Sequence, residues 1–375
     1  MSPSYRIVFY VSGHGFGHTS RAIEVIHALL LARPDAQIVV KTSAPLRLFA
    51  RALRLRSGQA DSRCELVDLQ CDTGMVQLDS LNIDTDESLR QAIAFQRRLP
   101  SLAASEAAYL RETGAHVAVA DIPPLAFAAA HIAGIPSVAI GNFTWDWIYA
   151  DYGSAPANAL AGDVRGIYQH ATAVLRLPMA GGFEGLESKT RDIPFIARRS
   201  RRTRDEVRGA LGLPPRERGK PLVLLSFGGH GVAGLNTSAL SRLEDYTIAT
   251  TDMSIDRAPG LLYISEQRVY DSGLRYEDLI RGADAVVTKP GYGIISEAIA
   301  NDAALLYTSR GHFVEYDVLV REMPRYLRAR FIEQKDLLSG NWREGLEQLL
   351  KQPAPSETPA LNGAEMAAAA ILRQG

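Results

Sequence analysis

The sequence has few cysteines, no long apolar run and almost no net charge, and each absence excludes a class of protein. Its two cysteines, Cys64 and Cys71, are too few for a disulfide scaffold and lack metal-ligand spacing. No stretch reaches the ~20 apolar residues of a membrane-spanning helix. The 41 basic and 42 acidic residues nearly cancel, so a dedicated nucleic-acid binder is not expected. The start of the chain lacks a signal-peptide pattern, and we expect a reduced, cytoplasmic location.

Short apolar runs alternate with helical patterns in two blocks of the chain, as is typical of parallel sheets covered by helices on both faces. At 375 residues the chain is long for one core and suits two domains. Strands are predicted at 5–12, 38–42, 66–69, 116–121, 138–141, 221–227, 261–264, 285–288 and 305–307. Helices are predicted at 19–32, 125–133, 276–281, 294–300 and 360–373. The fold class is therefore α/β, with two doubly wound halves.

The domain boundaries are predicted where this alternation stops. Residues 1–195 form an N-terminal Rossmann-like domain and residues 219–358 a C-terminal one, joined by an arginine- and proline-rich linker at 196–218. Five arginines fall within seven positions, 198–204. Such a charge run is typical of a solvated linker. The alternatives are the edge of a cleft and peripheral contact with an anionic membrane.

The first candidate motif is SGHGFGHTSR, residues 12–21, where the first predicted strand turns into the first helix. Ligands of open α/β sheets bind at the carboxyl ends of strands, so the position is informative. Gly15 and Gly17 permit a tight turn and close approach of a ligand. His18 is placed just before the helix, where it would act as a general base or as a donor to a diphosphate.

Two better-known nucleotide motifs do not match this turn. Its glycine spacing differs from G-x-G-x-x-G, and the predicted strand 38–42 does not end in an acidic residue that would hold a ribose. The P-loop pattern GxxxxGK[ST] is absent from the chain. The alternative interpretation is a plain tight turn with two exposed histidines.

Two glycine turns follow strands in the second block. Gly228 and Gly229 come directly after 221–227, where backbone N–H groups can cradle phosphate or a sugar hydroxyl. The sequence TKPGYGIISE, 288–297, places Gly291 and Gly293 between a strand and a helix start that favours phosphate. An ordinary strand–glycine turn is the alternative in the first case.

Charged residues beside these turns complete the predicted site. Lys289 adds positive charge, and Glu297 is expected to bind ribose hydroxyls unless it is only a first-turn partner of the helix dipole. Glu315, in GHFVEYD after 305–307, is expected to bind sugar hydroxyls; an ordinary surface loop is the alternative. Asp121 and Asp146 close strands of the first block, where either serves as an acceptor-side base or orients His18.

Taken together in this order, the motifs resemble GT-B glycosyltransferases of the MurG-like kind. A fuller resemblance is to the N-terminal, glycosyltransferase-like half of plant-type L-arabinokinases. It rests on GHGFGH at 13–18, NFTWDW at 142–147, FGG at 227–229, PGYG at 290–293 and NGAE at 362–365, and it covers nearly the whole chain. The sequence ends at Gly375 with no sugar-kinase half, so kinase activity is not carried over.

The resemblance implies a GT-B fold, in which two Rossmann-like domains face a central cleft. The C-terminal domain would hold the nucleotide-sugar and the N-terminal domain the acceptor, with helix 360–373 crossing back. GT-B enzymes generally need no metal, and we expect no metal or cofactor. The resemblance implies that Gly228, Gly229, residues 291–293 and Glu297 hold the nucleotide-diphosphate. With the residues argued from the motifs themselves, the predicted catalytic residues are His18, Asp121 and Asp146. The predicted nucleotide-sugar-binding residues are Gly15, Gly17, Gly228, Gly229, Lys289, Gly291, Tyr292, Gly293, Ser296, Glu297 and Glu315.

The leading hypothesis is a glycosyltransferase of the hexosyl- or N-acetylhexosaminyl-transferase class. It would move a sugar from a nucleotide-diphosphate sugar, a uridine one by resemblance, to an unidentified small-molecule, lipid or glycan acceptor, with inversion. A nucleotide-sugar hydrolase is a second hypothesis, because the same histidine base can activate water. A non-catalytic nucleotide-sugar-binding protein is the third. Nucleic acid is not an expected partner.

Overall fold

The computed structural model describes residues 5–53, 61–228 and 231–374. Over these ranges the chain folds as two compact units. The first unit takes in residues up to 76, residues 84–196 and residues from 360 onward; the second takes in residues 77–83 and 197–359. A short segment, 77–83, thus interrupts the first unit in sequence and belongs to the second, as does most of the predicted linker.

The first unit is built on a parallel sheet whose central strands are buried on both faces. In chain order the strands are β1 (Arg6–Val11), β2 (Gln37–Thr42), β3 (Cys64–Asp68), the two-residue β4 (Val76–Gln77) and β5 (Ile83–Asp84), β6 (Val117–Asp121), β7 (Ser137–Gly141), β8 (Ala173–Arg176) and β9 (Thr190–Asp192). Within the described residues, seven of them form one sheet in the order β3-β2-β1-β6-β7-β8-β9. The order reverses between β2-β1 and β6-β7, which places the topological switch point beside the end of β1.

Six helices follow these strands and cover the sheet. They are α1 (Phe16–Ala32), α2 (Leu46–Ala52), α3 (Thr85–Glu112), α4 (Pro124–Ala133), α5 (Trp145–Ala150) and α6 (Ala155–Tyr168), all within the described ranges. Helix α1 begins three residues earlier than predicted, because Gly15 takes a left-handed φ of 78° and acts as its N-cap residue. The expectation that His18 precedes the helix is therefore wrong: His18 lies in the first turn.

The second unit repeats this plan on a smaller scale. Its strands are β10 (Leu222–Ser226), β11 (Thr247–Thr250), β12 (Leu261–Tyr263), β13 (Ala285–Thr288), β14 (Ala304–Tyr307) and β15 (Ala329–Phe331). Across the described ranges they form one parallel sheet in the order β12-β11-β10-β13-β14-β15. The helices are α7 (Arg204–Ala210), α8 (Glu266–Asp271), α9 (Tyr276–Gly282), α10 (Tyr292–Asn301), α11 (Val314–Glu322), α12 (Gln334–Ser339) and α13 (Arg343–Leu350). In the described part of the chain, no helix is long and apolar enough to cross a bilayer.

The arginine run of the predicted linker is bonded into the second unit. Arg198 pairs with Glu297 on α10, and Arg202 donates to the carbonyl of Gly273 at 2.9 Å. Arg204 opens α7 and pairs with Asp284 at 3.1 Å. These bonds explain why 197–218 belongs to the second unit, whereas composition alone suggested a solvated connection.

The final helix, α14 (Gly363–Ile371), belongs to the first unit and packs against α1. Its first residue must be small, because the backbone of Pro194 and Phe195 passes close to the Cα atom of Gly363. The Gly363 N–H donates to the carbonyl of Phe195 at 3.2 Å. A Cβ atom on Gly363 would overlap the carbonyl oxygen of Pro194 and lie 2.8 Å from that of Phe195.

We predict that Gly363→Ala destabilises the first unit by about 1–3 kcal/mol, because rigid carbonyl groups must move to admit the methyl group. Gly166→Ala is the matched control, since Gly166 lies within α6 and its added Cβ would meet no atom within 4 Å. That change should instead stabilise the helix by about 0.5–1 kcal/mol. Urea unfolding followed by circular dichroism compares the two variants; equal effects would contradict the close approach.

Candidate functional site

A buried carboxylate organises the carboxyl edge of the first sheet. Asp121 is the last residue of β6 and is 2% exposed. His18 Nδ1 lies 2.8 Å from its Oδ1, and Arg21 donates from Nε to Oδ2 at 2.7 Å and from Nη2 to Oδ1 at 2.5 Å. Arg21 also donates to the Asn142 side chain, just after β7, at 3.2 Å. The loops after β1, β6 and β7 thus meet at the switch point.

The contacts around His18 determine which ring nitrogen carries the proton. An unprotonated Nδ1 at 2.8 Å from a carboxylate oxygen would bring two lone pairs together, so Nδ1 donates to Asp121. Arg21 Nη2 also lies 3.2 Å from Nδ1, but a guanidinium only donates and its shorter bond is to the carboxylate. The Nε2 atom of neutral His18 therefore keeps its lone pair. This is the tautomer that a general base requires.

The charge state of Asp121 depends on its two partners. Burial alone raises the pKa of this carboxyl. The charges of Arg21 and His18, together with their hydrogen bonds, outweigh burial, so the net pKa of Asp121 is lowered. Asp121 is therefore ionised at neutral pH and can stabilise a protonated His18.

Asp146 does not join this cluster but is bound elsewhere. It is buried in the first turn of α5, where its Oδ2 accepts from Arg165 Nε of α6 at 2.9 Å. Of the two aspartates that the sequence offered as the orienting group, Asp121 contacts His18 and Asp146 contacts Arg165.

A second buried carboxyl, which the sequence analysis missed, lies in the loop after β3. Asp72 accepts from Ser12 Oγ at 3.1 Å and from the indole Nε1 of Trp145 at 3.0 Å. Burial raises its pKa, and the hydrogen bonds and the charge of His18 only partly oppose this. Asp72 holds the loop after β1 against the start of α5. The one signal in the sequence that could have identified Asp72 was its position shortly after β3, a strand of the same sheet as β1 and β6.

Arg21 was also absent from the predicted site residues. Its spacing from His18 was the signal that could have found it, because residues three apart lie on one face of a helix. Gly15 and Gly17 lie at the start of that helix, one as the N-cap residue and the other in the first turn.

In the second unit the glycine turns lie at the ends of neighbouring strands. Gly228, with φ 76°, lies two residues after β10, while Gly229 lies outside the described residues. Thr288 ends β13 opposite Ser226 and donates from Oγ1 to its carbonyl at 2.5 Å. Lys289 and Gly291 follow, and Gly291 is the N-cap residue of α10.

Helix α10 begins at Tyr292, two residues earlier than predicted, so Gly293 lies inside the helix and not in the turn. Tyr292 is buried, and Ser296 is also buried, donating from Oγ to the Gly293 carbonyl at 3.0 Å. The N-terminus of α10 nevertheless lies beside the Gly228 turn, because β10 and β13 are paired. Backbone N–H groups there favour an anion.

Glu297 is buried on α10 and forms an ion pair. Its Oε1 accepts from Arg198 at 2.6 Å, and Arg198 also lies 3.6 Å from Glu277. The carboxylate is thus held in place by the segment that enters the second unit. Any ribose contact would have to be made alongside this pair.

Two further charged residues lie after β14. Arg310 is buried, and Glu315 is buried in the first turn of α11. The charge of Glu315 raises the pKa of Arg310, but the larger effect of burial lowers it. Within the described ranges, no group of three or more His, Cys, Asp or Glu side chains is placed to hold a metal ion.

Comparison with known proteins relates these features to a fold. No family model matches the sequence. The chain is 29% identical over 367 residues to an L-arabinokinase of Arabidopsis thaliana, and this alignment covers 96% of the chain and 33% of the relative. The chain therefore spans about a third of the length of that curated relative.

Solved structures cover the whole chain at low identity. A UDP-glucose:anthocyanidin 3-O-glucosyltransferase in complex with UDP has a TM-score of 0.61, with 10% identity over 100% of this chain and 95% of that one. The MurG of Acinetobacter baumannii has a TM-score of 0.55, with 13% identity over 99% of this chain and 100% of that one. The chain has the GT-B fold. These matches confirm the resemblance to MurG-like proteins and, over about a third of the relative's length, to an L-arabinokinase.

We predict that Arg21→Met destabilises the first unit by about 3–5 kcal/mol at pH 7, because it leaves the buried Asp121 without its main counter-charge. Arg176→Met is the control: Arg176 and Asp192 form an exposed pair, with side chains 38% and 72% exposed. Removing that pair should cost about 0–1 kcal/mol. Urea unfolding at pH 7 measures both, and equal losses would show that Asp121 does not need Arg21.

The loss of stability caused by Arg21→Met should become smaller as the pH falls. Because the folded pKa of Asp121 is lowered, its stabilisation is complete above the unfolded value of ~3.9 and is lost as pH falls through the lower folded value. The difference between wild type and Arg21→Met should therefore shrink in acid. A difference that grew below pH 4 would contradict the assigned direction.

Proposed function

We propose that the protein transfers a sugar from a uridine diphosphate sugar to an acceptor hydroxyl, with inversion at the anomeric carbon. The observation that carries this proposal is the hydrogen bond from His18 Nδ1 to the buried, ionised Asp121. It leaves an imidazole nitrogen able to take a proton at the switch point of a GT-B sheet. The fold, shared with glycosyltransferases that include a UDP complex, supports the choice of donor.

In the proposed reaction, His18 Nε2 takes the proton of the acceptor hydroxyl as its oxygen attacks the anomeric carbon. The bond from that carbon to the diphosphate oxygen breaks, and the diphosphate leaves with the electron pair. Asp121 stabilises the imidazolium that forms, and Arg21 keeps Asp121 ionised. A single displacement of this kind inverts the configuration and needs no covalent intermediate.

The second unit would hold the donor and stabilise its leaving group. Negative charge grows on the diphosphate as the bond breaks, and fixed N–H donors stabilise that charge without reorganisation. The N-terminus of α10 and the Gly228 turn supply such donors.

We predict that uridine diphosphate sugars raise the melting temperature more than guanosine or thymidine diphosphate sugars. A ligand that binds only the folded state stabilises it by about 2.7 kcal/mol at one hundred times its Kd. A thermal-shift screen over nucleotide-sugars checks this. The donor assignment fails if no nucleotide-sugar shifts the transition.

We predict that His18→Ala lowers the rate of transfer by roughly 10²–10⁴-fold, because the reaction loses its general base. The affinity for UDP should stay within about twofold, since His18 acts on the acceptor side. His27→Ala is the matched control; His27 is on the same helix, with its Nε2 atom 3.2 Å from the Ala52 carbonyl oxygen, and its loss should leave the rate unchanged.

UDP release with a panel of acceptors measures transfer, and free sugar released without acceptor measures hydrolysis. Full activity in His18→Ala would remove the proposed base. Free sugar at the full rate without any acceptor would instead identify a hydrolase. Tight binding with no turnover under any acceptor would identify a non-catalytic binding protein.

A further inference from the structure

Two cations follow neighbouring strands of the second unit, and both are largely removed from solvent. Lys289 follows β13 directly, and Arg310 lies three residues beyond the end of β14. These strands are parallel neighbours, with Thr288 opposite Tyr307, so both cations lie beyond the same edge of the sheet. The N-terminus of α10 begins at this edge as well.

Arg310 lacks an acceptor that a buried guanidinium normally has. Its side chain is 5% exposed, and its Cζ lies 4.5 Å from the centroid of the Phe313 ring. Among the described residues, its Nε is buried without a hydrogen-bond partner. An unpaired donor on a buried cation is costly, and an oxygen supplied by a ligand would remove that cost.

Within the described residues, the Nζ atom of Lys289 has one hydrogen-bond acceptor, and it is neutral: the amide oxygen of Gln77, at 3.1 Å. Burial, with a further contribution from the charge of Arg310, lowers the pKa of Lys289 to about 7, against the opposing charge of Asp79. Asp79 itself accepts from the backbone N–H groups of Leu81 and Asn82. The pair of cations is therefore incompletely neutralised by its own surroundings.

The segment 77–83 is anchored over these turns and is part of the second unit. Ser80 donates from Oγ to the carbonyl of Phe227 at 2.7 Å, immediately before Gly228. Leu81 is buried in the apolar core around Trp342. Gln77 and Asp79 are thus held beside Lys289, which defines the polar groups that a ligand would meet there.

We propose that Arg310 and Lys289 together bind the diphosphate of the nucleotide-sugar, and that Lys289 takes up a proton when the diphosphate binds. The inference rests on the proposed function, because it assigns ligand chemistry within the same donor site. A diphosphate brings several acceptor oxygens and at least two negative charges, so it satisfies Arg310 Nε and offsets the repulsion between the two cations. Above pH 7, protonated Lys289 is favoured only once that anion is present.

The sign of the pH dependence follows from this coupling. The pKa of Lys289 is about 7 without ligand and higher with the diphosphate bound. Below pH 7 the lysine is protonated in both states, and affinity is greatest. Above pH 7 binding requires a proton, so the affinity for UDP should fall by up to about tenfold per pH unit until the bound-state pKa is reached. The charged groups that face the pair are Asp79, near Lys289, and Glu315, near Arg310.

The first test uses the wild-type chain, with UDP and uridine as probes. Titration calorimetry at pH 8, in two buffers of different ionisation enthalpy, gives the number of protons taken up. The terminal phosphate of UDP is already ionised at this pH, since its second pKa is about 6. We expect UDP binding to take up as much as one proton and uridine binding to take up none.

The second test compares variants of Arg310. Arg310→Met should weaken UDP binding by about tenfold or more, because a charge-assisted bond to phosphate is lost. It should leave uridine affinity unchanged and reduce proton uptake at pH 8, since the pKa of Lys289 rises when the neighbouring charge is removed. Arg310→Lys should retain part of the UDP affinity. Arg257→Met is the control, because Arg257 is exposed and also lies over an aromatic ring, that of Tyr263, at 5.5 Å.

The outcomes separate this inference from the function on which it rests. UDP binding to wild type with no proton uptake would overturn the inference while leaving the donor assignment in place, and this result needs no variant to fold. Equal weakening of UDP and uridine by Arg310→Met would overturn it as well. If wild type bound no UDP at pH 6 or pH 8, the proposed function itself would be rejected, and the inference with it.

Discussion

A buried carboxylate at the end of β6 must stay ionised, and the arrangement of the first unit follows from that requirement. Desolvation works against the charge of Asp121, so two hydrogen-bonding partners have to be brought to it. Both come from the first turns of α1, where His18 and Arg21 are three residues apart on one face. Helix α1 can present them only because Gly15 allows it to begin directly after the loop of β1. The contacts that stabilise this edge are therefore the same ones that orient the proposed general base.

The two edges of the second sheet differ in how their charges are compensated, since Asp284 directly precedes β13 and Lys289 directly follows it. Asp284 is surrounded by arginines and accepts from Arg216 at 2.5 Å and Arg204 at 3.1 Å, so that charge is well compensated. Arg310 is buried and Lys289 is half-buried at the carboxyl edge, and neither forms an equivalent ion pair among the described residues. A site that is incomplete without its ligand gains stability when the ligand binds, whereas a site that is internally satisfied does not. This contrast distinguishes the structural ion pairs of the unit from its proposed binding cations.

Much of the fold could be predicted from local pattern, and the exceptions have identifiable causes. The apolar runs at β1, β6 and β13 are short, continuous and followed by glycine or polar residues, which is typical of buried parallel strands. The 28-residue helix α3 was missed, since Pro100 lies inside it and much of its buried face is alanine. Helices α1 and α10 begin earlier than predicted because a glycine acts as the N-cap residue of each, where a cap side chain would normally mark the start.

The candidate site was only partly accessible to sequence reasoning. Glycine turns after strands identified loops that the structure places at the carboxyl edge of each sheet, because parallel strands necessarily have their carboxyl ends at one edge. The partners of the charged side chains could not be predicted in this way. Asp121 and Asp146 look equivalent in the sequence, yet one binds His18 and the other Arg165. Glu297 was expected to face ribose and is held by Arg198, about 100 residues away in sequence.

The sequence by itself determined the α/β class, the two doubly wound halves and the loops that carry polar chemistry, because hydrophobic period and glycine position act locally. Tertiary structure alone decided which charges are paired and which are left open. Burial and distance set the free energy of a charge, and both depend on residues remote in the chain, as with Asp72 against Trp145 and Lys289 against Gln77. No local sequence pattern specifies these distances in space. The protonation states at both sheet edges are therefore determined only when the chain is folded.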